Sequence, residues 1–352
     1  MEDWQKNLSK SVTRLDELPS RLCVDVETLQ TVTDRYPLRI TPHYLSLIRT
    51  EDDPVWRQCI PDIREMEEDG LSADPLNEEG FSPVPDLIHR YPDRVVLLAS
   101  STCATFCRFC MRKHRFNQKT SMTESRLDAG LKYIERTPVI RDVILSGGDP
   151  FLLPDEILEA LLSKLRGIPH VEIIRINTRI PVTLPERITP RLSRILKRFH
   201  PLYVNTHFNH PVEITEASRE ACHRLADAGI PLGNQTVLMK EVNDDLTVMK
   251  QLVQKLLSLR VRPYYLHQMD LVKGTGHFRT RVEKGLEIMA GLRGHTSGLA
   301  TPYYMIDLPG GKGKVPLLPE DVKRRDGKLI LRNYLGEVVE YPDLEQPNSK
   351  HQ

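Results

Sequence analysis

Three thiols within eight residues are the first chemical signal in the chain, in the stretch Cys103-Ala-Thr-Phe-Cys107-Arg-Phe-Cys110. The other three cysteines, Cys23, Cys59 and Cys222, stand alone, and six in 352 residues are too few for a disulfide scaffold. A CxxxCxxC trio can hold three irons of a cubic [4Fe–4S] cluster and leave the fourth iron open to another ligand. Closed zinc sites take four ligands in two separated pairs, and no second Cys or Cys/His pair at a suitable spacing is present, so zinc is the poorer reading. A second signal is Ser146-Gly147-Gly148-Asp149, which alone is more often a plain strand-to-helix turn. The third is Asp307-Leu-Pro-Gly-Gly-Lys-Gly-Lys314, a flexible loop able to bring an amine to a cofactor's phosphate and ring. It is not a phosphate-binding loop, because the GxxxxGK(S/T) spacing fails and Val315 follows the lysine. On its own, Gly-Lys-Gly-Lys is more often a solvated turn.

These residues need elements to position them. Apolar, β-branched runs at Arg94-Ala99, Asp142-Leu145, Val171-Asn177, Leu202-Thr206, Leu232-Leu238 and Arg262-His267 alternate with amphipathic stretches near 123–136, 154–166, 189–199, 214–228, 245–259 and 281–293. Thr123 and Thr215 are cap-capable residues before helical periodicity, and Ala228-Gly229 supplies a stop. Six βα units with fully apolar strands predict a parallel sheet curled into a partial (β/α)6 barrel whose functional face is the strands' C-terminal ends. A doubly wound sheet is the alternative. Residues 1–90, broken by Pro37, Pro42, Pro54, Pro61, Pro75, Pro83 and Pro85, read as an N-terminal helical extension, 91–297 as the barrel, and 298–352 as a C-terminal Gly-rich loop followed by a β-hairpin over Lys328-Asn333 and Glu337-Tyr341.

Composition narrows the class. Lys+Arg 49 against Asp+Glu 48 leaves a formal charge of +1, with no general drive toward nucleic acid or an anionic membrane. The longest apolar runs, such as Val95-Val96-Leu97-Leu98-Ala99, are far too short to cross a bilayer, and Met1-Glu-Asp-Trp lacks the apolar core of a secretion signal. A cytoplasmic protein is expected.

The cysteine trio after the first strand of a six-unit βα chain resembles the radical S-adenosylmethionine (SAM) enzymes. The resemblance implies that Cys103, Cys107 and Cys110 ligate the cluster, and that its open iron holds SAM, which is cleaved to a 5′-deoxyadenosyl radical. It also implies that Ser146, Gly147, Gly148 and Asp149 meet SAM's methionine end, with Phe109, the segment around Asn177, and Gln235 at the adenosine. From about residue 38 to 341 the chain is similar to the lysine 2,3-aminomutase family, through Ile40-Thr-Pro-His-Tyr-Leu-Ser-Leu-Ile, His89-Arg-Tyr-Pro-Asp-Arg94, Asn205-Thr-His-Phe-Asn-His-Pro211, Pro231-Leu-Gly-Asn-Gln235, Gly276-His-Phe-Arg279 and Gly291-Leu-Arg-Gly-His-Thr-Ser-Gly298. That family also uses pyridoxal 5′-phosphate (PLP), which carries the migrating amino group as an imine.

Carried over residue by residue, the resemblance implies that Lys314 forms the imine, with Lys312 where relatives can have glycine. Arg90, Tyr91 and Arg94 then hold the PLP phosphate, Arg112 the substrate carboxylate, and Asp270 with Asp307 the ε-ammonium of lysine. Glutamate 2,3-aminomutases replace that acidic pair, and here it is kept. A homologue making β-lysine for elongation factor P is a second alternative, and a non-catalytic iron–sulfur or zinc protein is the reading of a different class. The resemblance further implies an electron donor such as flavodoxin or ferredoxin. The family's C-terminal zinc cysteines are missing and Asp245 stands where their partner thiol is expected, which leaves a homo-oligomer open. His267 takes a position where a relative can have tyrosine.

Overall fold

The apolar runs form one nine-stranded sheet in a computed structural model that describes residues 2–67, 70–116, 123–318, 322–325 and 328–341. Its strands are β1 (Leu87–Tyr91), β2 (Arg94–Ser100), β3 (Asp142–Gly147), β4 (Ile173–Asn177), β5 (Leu202–Thr206), β6 (Leu232–Leu238), β7 (Val261–Gln268), β8 (Tyr303–Asp307) and β9 (Lys314–Pro316). They lie side by side in sequence order, and every neighbouring pair from β2 to β8 is parallel. A doubly wound sheet reverses its strand order at a switch point, so that alternative is excluded. The order is that of a partial barrel. Its two edges, β1 and β9, are antiparallel to their neighbours and form no ladder with each other among the described residues.

The first strand, β1, falls at the end of the stretch read as a helical extension, and two further strands of the sheet depart from the expectation. Tyr303–Asp307, inside the stretch read as a Gly/Pro-rich loop, is a seventh parallel strand, and Lys314 begins an edge strand rather than ending a loop. Tyr303-Tyr-Met-Ile-Asp307 is only five residues between Pro302 and Pro309, too short for periodicity to separate it from its turn-rich surroundings. At the C-terminus, Lys328–Arg332 (β11) and Val338–Tyr341 (β12) form the expected antiparallel pair, and Val322–Arg325 (β10) adds a third strand.

Four short helices precede the barrel: α1 (Asp3–Ser9), α2 (Val26–Arg35), α3 (Pro42–Ser46) and α4 (Pro54–Cys59). Pro42 and Pro54 sit in their first turns, where the missing N–H costs nothing. The crossovers carry α5 (Glu124–Glu135), α6 (Asp155–Arg166), α7 (Ile180–Thr183), α8 (Pro190–Leu196), α9 (Glu216–Asp227) and α10 (Leu246–Ser258), and α11 (Val282–Leu292) follows β7. Thr123 and Thr215 accept from Arg126 N and Ser218 N as N-caps, and Gly229 ends α9 at φ 79°. Asp245 is the N-cap of α10, accepting from Thr247 N and Val248 N. The buried core runs without a break from Trp4, Ile40, Tyr44 and Trp56 in the extension through the strands to Tyr304. Among the described residues no helix is long and apolar enough to cross a membrane.

Candidate active site

The barrel interior and its C-terminal mouth enclose a cavity of about 600 Å³. The candidate site residues of the sequence line it, Lys312 excepted: the three thiols, Phe109, Arg112, Ser146 to Asp149, Asn177, Gln235, Arg90, Tyr91, Arg94, Asp270, Asp307 and Lys314. Lys312 is exposed, whereas Lys314 turns its amine inward onto Asp307.

The cysteine loop leaves β2 and is shaped by close backbone approach. Gly148 N donates to Ser100 O (2.6 Å) and Asp149 N to Thr102 O (2.7 Å). A Cβ on Gly148 would stand 2.3 Å from Thr102 O, and one on Gly147, at φ 119°, 2.3 Å from Ser100 O. The two glycines are therefore the price of bringing the end of β3 against the loop. The Asp149 carboxylate accepts from Thr178 Oγ1 (2.7 Å), Arg179 N (2.7 Å) and Phe151 N (3.1 Å). Burial still lifts its pKa to about 6. Its role here is to lock the exit of β4 to that of β3.

The other half of the loop's support comes from the N-terminal extension. Phe106 N donates to Arg39 O (2.9 Å), Arg108 N to Gln58 O (2.9 Å), and Arg39 Nη1 to Cys103 O (3.1 Å). Beneath it the fully buried Glu65 receives Arg108 Nε (2.8 Å) and Lys113 Nζ (2.6 Å). Burial pushes the Lys113 amine down to about 8, with Glu65 opposing the shift. Burial raises the Cys103 thiol, and the nearby Cys110 and Cys107 raise it further; the Cys110 thiol is lifted to about 11. Crowded, buried thiols of this kind hold their thiolates only against compensating positive charge, which iron supplies. No trio of His, Cys, Asp or Glu among the described residues is drawn together as a single ion requires. A cubane asks for something else, since each thiolate takes a separate iron corner, and the three soft donors around one cavity fit it.

Across the cavity, Lys314 Nζ pairs with Asp307 Oδ2, and Lys314 N donates to Tyr91 Oη (3.0 Å). Arg90 Nη1 lies 3.9 Å from Asp307 Oδ1, and His267 Nδ1 3.6 Å from Oδ2. Burial, with Lys314 nearby, drives the His267 pKa down to about 3, so its ring stays neutral. Arg94 stacks on Tyr91 with its guanidinium carbon 3.9 Å from the ring centre. Arg90 Nε is buried with no hydrogen-bond partner. An orphaned guanidinium N–H beside a second arginine and a phenol fits a phosphate, and the adjacent inward-facing lysine fits the aldehyde end of PLP.

Arg112 makes a bidentate pair with Glu78, Nε to Oε2 and Nη2 to Oε1 both 2.7 Å, and gives Nη1 to Ser146 Oγ (3.2 Å). Burial disfavours both charges, but their attraction outweighs it: Glu78 shifts down and Arg112 up. Asp270 is the opposite case. Burial lifts its carboxyl to about 7, Asp307 beside it adds to the rise, and Lys314 only partly offsets it. Glu78, Arg179 and His207 are cavity residues that sequence reasoning missed. Glu78 lies in the proline-broken extension and Arg179 at the end of a loosely matching stretch, so neither had a motif; His207 is inside the matched Asn205–Pro211 stretch and could have been flagged. Its Nε2 is buried without a partner, and burial, with Arg179 nearby, keeps the ring neutral.

Residues 97–253 match the model of the radical SAM superfamily, and residues 289–351 match the model described as lysine-2,3-aminomutase. The chain is 49% identical over 349 residues to an L-lysine 2,3-aminomutase of Clostridium subterminale, and 48% identical to one of Acetoanaerobium sticklandii; each alignment covers 97% of this chain and 84% of the relative. A glutamate 2,3-aminomutase of Clostridioides difficile is 43% identical, covering 97% of this chain and 83% of that protein.

Proposed function

Because the chain belongs to the lysine 2,3-aminomutase family of radical SAM enzymes, we propose that it interconverts L-lysine and β-lysine, and that the residues gathered in its cavity divide that work as follows. When bound, the [4Fe–4S] cluster with SAM supplies a hydrogen-abstracting radical, and PLP supplies the π-system through which nitrogen moves between neighbouring carbons. Cys103, Cys107 and Cys110 hold the cluster. Ser146, Gly147, Gly148, Phe109 and Gln235 line SAM's place, and Asp149 fixes the backbone that presents it. Lys314 holds PLP, with Arg90, Tyr91 and Arg94 on its phosphate.

Arg112, held through Nε and Nη2 by Glu78, meets the substrate carboxylate with its Nη1 edge, close to the thiols. Asp270 and Asp307 receive the ε-ammonium at the far end, where an unpaired cation would be very costly. The neutral His267 ring adds no positive charge against that ammonium. Burial of these groups keeps water from the reacting carbons. Within the cell we place the enzyme in the cytoplasm, reduced by a flavodoxin- or ferredoxin-like donor.

The observation that carries the reading is the charge layout of one cavity: a guanidinium beside the thiols and two carboxylates beside the lysine. A γ-carboxylate substrate would meet those two acids as like charges. The test is an anaerobic assay of cluster-reconstituted protein with SAM, PLP and dithionite, offered lysine and glutamate in parallel and read by NMR. Formation of β-lysine without β-glutamate is expected; β-glutamate alone overturns the substrate assignment.

A further inference from the structure

Arg179 is a buried cation in no motif, and its guanidinium is shared among five acceptors. Nη1 donates to Cys107 Sγ (2.8 Å), Nη2 to Tyr44 Oη (2.9 Å), Gln58 Oε1 (2.6 Å) and Glu213 Oε1 (2.9 Å), and Nε to His207 O (3.3 Å). It is 8% exposed and Glu213 fully buried. The Glu213 carboxylate is itself fixed, since Oε2 accepts from Asn209 N (2.6 Å) and Oε1 from Tyr44 Oη (2.8 Å). The guanidinium thus has no freedom to leave the sulfur.

We propose that Arg179 sets the reduction potential of the iron–sulfur cluster, through the charge-assisted hydrogen bond it donates to the Cys107 sulfur. The inference rests on Cys107 being a cluster ligand. One-electron reduction adds negative charge to the cluster, part of which resides on its thiolate sulfurs, and a buried N–H donor with a full positive charge stabilises the reduced form more than the oxidised one. Hydrogen bonds to ligand sulfurs and local charge are among the levers a protein has on such a potential. Glu213 is the counterweight, because its carboxylate cancels part of the field that Arg179 presents to the sulfur. The network reaches from the site to Tyr44 and Gln58 on the N-terminal helices, so the extension takes part in tuning the electron acceptor. Arg179 is a positioning residue: it acts on the reacting centre through Cys107.

The test is an EPR-monitored redox titration of the reconstituted, full-length enzyme, with iron and sulfide measured on the same samples. Arg179→Lys keeps the charge but loses the fork, and should lower the equilibrium constant for one-electron reduction about tenfold, which is about 59 mV toward more negative potential. Glu213→Gln should move it the opposite way, because the guanidinium then faces the sulfur uncompensated. Tyr44→Phe, which only loosens the guanidinium, should give a smaller shift in the direction of Arg179→Lys, and with Glu213→Gln decides the matter if Arg179→Lys does not fold. Unchanged potentials at full iron content, or shifts of one sign in all three variants, overturn the proposal. Full cluster content in Cys107→Ala would instead overturn the ligand assignment beneath it.

Discussion

Asp270→Asn should stabilise the protein and disable it at once, with the two effects separable by pH. The carboxyl rises from its ordinary 3.8 to about 7 because it is buried and faces Asp307. At about 1.4 kcal/mol per pH unit that displacement is on the order of 4 kcal/mol. Asp270 is only half-buried at the cavity wall, so solvent relieves part of it, leaving about 2 kcal/mol. The sign follows from which state holds the proton. Below pH 4 the group is protonated in both states and contributes nothing. Between about 4 and 7 the unfolded chain releases a proton that the folded one keeps, and above 7 the folded protein carries the full cost of the ionised acid. The asparagine variant should therefore match its parent in thermal unfolding of the PLP-free protein near pH 4, and exceed it by a few degrees at pH 8. Lysine turnover should fall in the same variant. Removing one partner of a buried ammonium–carboxylate pair costs about 3–5 kcal/mol, or roughly two to four orders of magnitude in kcat/KM. A Tm difference that shrinks from pH 4 to pH 8, or a kcat/KM loss under tenfold, would refute the reasoning.

Lys314→Ala should abolish the visible absorbance of a PLP–lysine imine and all turnover, while Lys312→Ala, altering an exposed amine, should preserve both. Gly148→Ala forces a methyl against Thr102 O, so anaerobic reconstitution should load far less iron while circular dichroism stays that of the parent. Arg112→Ala leaves Glu78 as a buried, unpaired charge and should destabilise by about 3 kcal/mol in denaturant titration. Adding Glu78→Gln should recover much of that loss without restoring lysine turnover; a double variant no more stable than Arg112→Ala would show that the pair is not coupled.

Much of the fold was legible because its signals are local. Six strands are apolar runs long enough to show, and helices are bounded by the capping side chains of Thr123 and Thr215 and by the positive φ open to Gly229, none of which needs tertiary context. Tyr303–Asp307 escapes because its five residues lie between prolines that imitate a loop. The site followed the same division. The thiols and Lys314 announce themselves by spacing, but the Glu78–Arg112 pair joins residues 34 apart and the Arg179 network spans 135 positions to Tyr44. Long-range polar pairing has no period in sequence; it is fixed only when the N-terminal extension packs on the barrel.

The open order of the sheet has one more consequence. Because β1 and β9 share no ladder, the wall between them is held by side chains: Tyr91 accepts from Lys314 N, and Arg90 faces Asp307. The seam of the barrel is thus sewn by the same groups assigned to the cofactor. A molecule can part that seam without breaking a backbone pair, and one that bridges Lys314 to Arg90 fastens the first strand to the last. If the proposed PLP residues hold their ligand, binding should close the wall as well as fill the cavity, and resistance to proteolysis between Gly310 and Lys314 should report on it directly.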